Sequence, residues 1–328
     1  MEYVFEMYLK VSRKLNLKQK MDKHFIKSVS DFISQIIIKI EKLQIQNEKV
    51  FWFRGENSEE YRLVPNLFRK TTNNGIQYCT DIFGKEIYKI EQNIDVSFTR
   101  KATVFLSNKR IENTAWNRYF LKQHYGVKTR LLDWTENALF ALFFALNNKD
   151  KNGKVWILSP GRLNKYSVSK LSNIDDEFLG ILTCGKLKKK GLLVNENQEL
   201  RTDELLRKYY RMDYTEDEKM YPLAIYPPHL DERMSAQQAC FTLFGNIVKG
   251  LDPNDFPEKF LDCVYIDADS KNKILKELRI LGIFNYSMYP DLDGLGRTIN
   301  YDENEDLNRA LENNDFKNIV KMQSAEIF

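Results

Sequence analysis

The chain has 328 residues, more than the roughly 250–300 at which one hydrophobic core usually stops growing, so it predicts one large domain with additions or two closely packed units. With 43% hydrophobic residues it can bury a substantial core, and a net charge of +4 neither demands nor excludes a nucleic-acid partner. The longest apolar run, Ala138 to Leu146, has nine residues against the about 20 of a membrane span, and the N-terminus, with Glu2 and Glu6, lacks the basic-then-apolar order of a signal peptide, so a soluble cytoplasmic protein with no membrane partner is expected.

Residues 1–24 read as a leader. From His24 to Gln46, Phe25, Val29, Phe32, Ile33, Ile36, Ile40 and Leu43 recur at helical spacing, which predicts an amphipathic helix. Val50 to Phe53 reads as a short buried strand that delivers Arg54-Gly55-Glu56 at its C-terminal end. Pro65 and the Thr71–Gly75 cluster mark a loop. Residues 81–122 are mostly helical, with a break near Ser107–Asn113. Asp133 and Glu136 have capping-box spacing, which places the start of a buried helix there, running from about Glu136 to Asn147. Gly153 to Leu158 is a strand ended by Pro160-Gly161. Residues 161–220 form a charged insertion with helix around 199–211; within it Lys186 to Lys190 is a solvated loop or a phosphate contact. Strands follow at Ala224–Tyr226, Phe241–Phe244 and Cys263–Ile266, then a helix at Lys271–Leu281 capped by Gly282. Pro290 to Leu295 opens a further helical turn, and an acidic tail fills 301–328. Strands and helices mix without regular βαβ alternation, so the predicted class is α+β: a mixed, mainly antiparallel sheet flanked by helices.

Cys79, Cys184, Cys240 and Cys263 form no C-x-x-C pair, and His24, His124 and His229 lie far apart. Reduced thiols are therefore expected, with neither a disulfide frame nor a metal site.

Four blocks combine charge or amide chemistry with neighbouring apolar elements. In the first, Arg54 offers a planar fork suited to phosphate or carboxylate, and Gly55 permits close backbone approach; the alternative for Arg54 is a structural salt bridge. The second runs from Gln123 to Thr135. There Thr129 or Arg130 can hold phosphate, Tyr125 or Trp134 can stack on a ring, and Asp133 can orient Arg130 or accept a sugar hydroxyl. The bland reading makes Asp133 only a helix cap and Trp134 only core. The third block, Arg233 to Phe241, sets one cation and two glutamines before a strand; buried Gln237 needs backbone partners or a ligand amide. In the fourth, Tyr289 to Gly294, Asp291 reads as a cap.

Together these blocks resemble the FRG domain family, named for the Phe-Arg-Gly that stands here as Phe53-Arg54-Gly55. The family also shows blocks like Gln123-His124-Tyr125-Gly126 followed by Thr129-Arg130-Leu131-Leu132-Asp133-Trp134-Thr135, an Arg-x-x-x-Gln-x-Gly-x-Phe run matched by Arg233, Gln237 and Phe241, and a block like Pro290-Asp291-Leu292-Asp293-Gly294-Leu295. The resemblance covers about residues 25–300 and departs at Lys128, where proline is usual, and at Ala239, where glycine is usual. Members are mainly prokaryotic and phage-associated, and at the level of fold they look similar to ADP-ribosyltransferases. The resemblance therefore implies NAD as substrate and an effector in phage defence or toxin systems. It makes Arg54, Asp133 and Gln237 the catalytic set, and Gly55, Gln123, His124, Tyr125, Thr129, Arg130, Trp134 and Arg233 the nucleotide contacts. The third block has no glutamate, so Asp133 or Glu56 has to supply the carboxylate. Two other readings stay open: a non-catalytic nucleotide-sensing or nucleic-acid-binding module, and a nuclease or hydrolase using Asp133, Glu56 and Asp291 around a metal. Target and oligomeric state are open as well.

Overall fold

The computed structural model describes residues 23–43, 49–72, 75–78, 84–171, 181–183, 196–214 and 218–312. The leader to residue 22, Cys79, Cys184, the Lys186–Lys190 cluster and the tail beyond 312 lie outside the described residues.

In chain order the elements are β1 (Phe25–Ile26), α1 (Val29–Leu43), β2 (Trp52–Glu56), β3 (Arg69–Thr72), β4 (Gly75–Tyr78), α2 (Gly84–Asn108), α3 (Ala115–His124), β5 (Leu131–Thr135), α4 (Ala138–Ala145), β6 (Gly153–Leu158), α5 (Pro160–Val168), β7 (Leu182–Thr183), α6 (Glu196–Arg211), β8 (Leu223–Tyr226), α7 (Glu232–Ala236), β9 (Ala239–Leu243), β10 (Leu261–Ile266), α8 (Lys271–Ile280), α9 (Asn285–Met288) and α10 (Leu292–Glu312). Eight strands form one sheet in the order β1-β10-β6-β2-β5-β9-β8-β7, and β3 and β4 make a separate hairpin. The two outer pairs, β1–β10 and β7–β8, are parallel and the rest antiparallel, so the class is α+β as the pattern of elements implies.

Strand alternation divides the core between the two faces of the sheet. One face carries Trp52, Trp134, Trp156, Leu158, Leu261 and Cys263. The other carries Phe53, Val155, Ile157 and Val264 beneath α1, α4 and α8, and, further along, Leu131, Phe241 and Leu243 beneath α3 and α6. The helix α1 shows the expected stripe, burying Val29, Phe32, Ile36 and Leu43, but Phe25 belongs to β1 instead. Helix α4 is Ala-Leu-Phe-Ala-Leu-Phe-Phe-Ala and has no polar face to offer solvent.

Four local expectations change. Arg54-Gly55-Glu56 lies inside β2, paired along its whole length with β6, and does not follow a strand end. Gly55 is required there because α4 crosses it: a Cβ would overlap the carbonyl oxygen of Ala141. The backbone that approaches Gly55 is thus the protein's own helix. Thr71–Gly75 was expected as a loop, but Thr71 and Thr72 belong to β3 and Gly75 opens β4. Asp133 is not a helix cap; it is the middle residue of β5, and Asn137 caps α4 by accepting from the N–H groups of Leu139 and Phe140. Asp291 does cap α10, accepting from Gly294 N.

Candidate functional site

The central strands β2 and β5 diverge. β2 is in register with β6 at five positions, but with β5 only where Phe53 faces Thr135; β5 in turn pairs with β9 along five positions. Beyond that single pair the sheet opens, and the side chain of Arg54 fills the opening. Its Nη1 donates to the backbone oxygen of Asp133 at 2.8 Å, an acceptor left without a β2 partner, and its Nε donates to Glu56 at 2.8 Å. The Asp133 carboxylate lies 3.6 Å from the same Nη1. Burial opposes the charge on Arg54, but Glu56 and Asp133 together hold its pKa above the ordinary arginine value. Glu56 is enclosed, with 7% of its side chain exposed, whereas Asp133 exposes 55% of its own.

A second set of bonds orients Asp133. Gln123, at the end of α3, donates from Nε2 to Asp133 Oδ2 at 2.8 Å and accepts from Thr129 Oγ1 at 2.5 Å, so its amide cannot usefully turn over. The chain leaves α3 through Gly126, at a φ of +73°, and Val127 N donates back to Lys122 O across it. Beside this turn, His124 Nε2 meets Asp231 Oδ2 at 2.9 Å, and Asp231 also caps α7 through Met234 N. Burial would raise the Asp231 carboxyl, but the bonds from His124 and Met234 N hold it below the usual aspartate value. Tyr125 is 54% exposed and stands edge-on to His124, with its hydroxyl bonded by Lys109.

Three residues expected to contact a ligand face the interior. Arg130 is wholly buried: Nε donates to Glu91 at 2.6 Å, Nη1 to Phe244 O at 2.6 Å, and Nη2 to the backbone oxygens of Tyr209 and Tyr210. Thr129 is buried, its hydroxyl shared between Gln123 and Leu131 N. Trp134 is buried, with its indole N–H bonded to Thr242 at 3.1 Å.

The remaining blocks reach the same region through contacts along the sheet. Thr135 Oγ1 donates to Gln237 O at 2.7 Å, two residues along β5 from Asp133. Gln237 Nε2 donates to Met288 O at 3.1 Å, and the Arg233 guanidinium lies 4.4 Å from the centre of the Tyr289 ring. So the first block touches the second, the second the third, and the third the fourth. Three residues of this region carry no signal in the sequence: Arg69, whose pKa is lowered by burial and, second, by the nearby charge of Arg54; Glu91, the partner of Arg130; and Asp231. Asn137 alone had a local signal, being a preferred cap residue directly before the apolar run.

Glu56, Asp133 and Asp291 do not gather: Glu56 pairs with Arg54, Asp291 caps α10, and among the described residues no group of three His, Cys, Asp or Glu side chains is arranged to hold a metal ion. No helix among the described residues is long and apolar enough to cross a membrane.

No curated protein and no solved structure matches the chain. Residues 49–154 match the family model of the FRG domain, a span that holds the whole of the first two blocks and ends within β6. Arg233, Gln237 and Tyr289 lie outside that span; Gln237 meets it at Thr135 and Tyr289 at the ring of Phe144. The chain carries an FRG domain.

Proposed function

We propose that the opening between β2 and β5 binds an NAD-type nucleotide and acts at its ribosyl carbon, as an ADP-ribosyltransferase or NAD glycohydrolase, with Asp133 as the working carboxylate. The observation that carries this reading is the state of Asp133: half-exposed, freed from capping duty, and oriented by Gln123 and Arg54. Loss of nicotinamide builds positive charge on the sugar, and a carboxylate held in place before the reaction stabilises that charge without reorganising. The exposed ring of Tyr125 offers a wall for the nicotinamide. Arg130 takes no part in this reading, so the pyrophosphate would rest on exposed Lys128 beside the Gly126 turn. An effector role in phage defence or toxin systems is the setting this chemistry fits.

The test is release of nicotinamide from NAD, or transfer of labelled ADP-ribose to protein or nucleic acid, by the purified chain. Asp133→Ala is expected to lower the rate at least about 100-fold, as removal of one preorganised electrostatic group does elsewhere. Intact NAD and no labelled target after prolonged incubation would overturn the reading.

A second reading, nucleotide sensing without turnover, is favoured by one observation: the donors of Arg54 already face Glu56 and Asp133 and so are not free to follow charge as it develops. It predicts that NAD binds, that Asp133→Asn changes affinity, and that nicotinamide is never released.

A further inference from the structure

On the face of the sheet opposite the Asp133 side chain, a cleft of about 680 Å³ opens over β6 and β10, and no residue of the four blocks lines it. Its size falls within the roughly 300–1,000 Å³ of small-molecule sites. Trp156 and Tyr265 lie on the floor and Tyr78 on a wall. The charged residues that line it are Arg62, Lys154, Lys249 and Lys259 against Glu60, Asp252 and Asp262, a small positive excess. Lys249 and Lys259 are paired with Asp255 and Asp262, but Lys154 and Arg62 have no carboxylate within ion-pair distance among the described residues. Lys154 is 7% exposed; its ammonium donates to the backbone oxygen of Glu59 and stands 4.5 Å from the centre of the Trp156 ring. Arg62 stands 5.4 Å from the centre of the Tyr78 ring. The Trp156 indole N–H is itself buried without an acceptor among the described residues. A buried ammonium held away from any carboxylate and a buried N–H without an acceptor carry a standing cost, which an anionic ligand placed between Lys154 and the exposed Arg62 relieves.

We propose that this cleft binds a small aromatic anion, a flat ring bearing a phosphate or carboxylate, with Arg62 and Lys154 taking the anionic group and Trp156 and Tyr78 flanking the ring. The site is separate from the Asp133 cluster and holds whether or not that cluster turns over NAD.

Calorimetric titration of the full chain tests it, with adenosine and guanosine 5′-monophosphates in one arm and indole-3-carboxylate and 4-hydroxybenzoate in the other. One arm is expected to bind at one molecule per chain, and the arm that binds identifies the anion. Arg62 is exposed, so Arg62→Gln keeps the fold and is expected to weaken binding at least about tenfold, the scale of one charge-assisted contact. The neutral counterparts, adenosine or indole, are expected to bind more weakly by a similar factor, while Asp133→Asn leaves affinity unchanged. Absence of millimolar or tighter binding in both arms, binding indifferent to Arg62→Gln, or binding abolished by Asp133→Asn would each overturn the proposal.

Discussion

Arg54 and Arg130 are both arginines paired with a glutamate, yet their surroundings give them opposite jobs. Arg54 fills the opening between β2 and β5 and bonds Glu56 beside the exposed carboxylate of Asp133. Arg130 is closed on every side, with Glu91 and three backbone oxygens taking its fork. A guanidinium that satisfies the carbonyls of Phe244, one residue past β9, and of Tyr209 and Tyr210 in α6 ties those segments together, and none of it is left for a ligand. The difference teaches that a charged block next to a core helix mixes two kinds of residue. Some, like Arg130, build the scaffold; others, like Asp133, are presented by it.

The largest effect should come from breaking the buried pair. Arg130→Ala leaves Glu91 uncompensated in the interior, and about 3–5 kcal/mol of stability should be lost in a denaturant titration. A change under 1 kcal/mol would mean that Arg130 is not the scaffold member of the comparison. Next comes Gly55→Ala, which forces a methyl group against the backbone of α4; the overpacking should cost about 1–3 kcal/mol and lower the thermal midpoint. Stability unchanged by that methyl would show that α4 does not seat on β2 as described.

The third prediction separates the two candidate caps. Asn137→Ala should cost about 1 kcal/mol, while Asp133→Ala should stay within about 0.5 kcal/mol of the unaltered chain. The reverse ranking would return Asp133 to structural duty. The smallest effect concerns pH. Asp231 has a folded pKa below its unfolded value near 3.9, so its contribution is full above that value and is lost as pH falls through the folded one. The stability gap between the unaltered chain and Asp231→Asn should therefore be full at about pH 5 and shrink as pH falls below about 4. A gap that instead grows between about pH 5 and 3 would contradict a lowered Asp231 pKa.

Much of the fold was legible locally. β6 and β10 show up as apolar runs with turn residues nearby, and the break between α2 and α3 falls where Ser107 to Asn113 interrupts the helical pattern. The location of the candidate site was legible as four blocks, because each block carries its polar residues beside an element that must be buried. What was not legible depends on distant partners. Glu91 lies 39 residues upstream of Arg130, and nothing around Arg130 announces that it will be enclosed. Asp133 met the capping-box spacing, but Asn137 stood closer to the apolar run and β9 supplied Asp133 with a strand partner instead. The opening between β2 and β5 is a matter of register between strands some 80 residues apart in the chain, for which spacing rules give no sign.

Nicotinamide release by Asp133→Asn, compared with the unaltered chain at matched unfolding midpoint, tests the central claim most directly. The account predicts NAD cleavage by the unaltered chain, lost by at least about 100-fold in the variant while stability stays the same. Equal release by both proteins, or none by either, would contradict it.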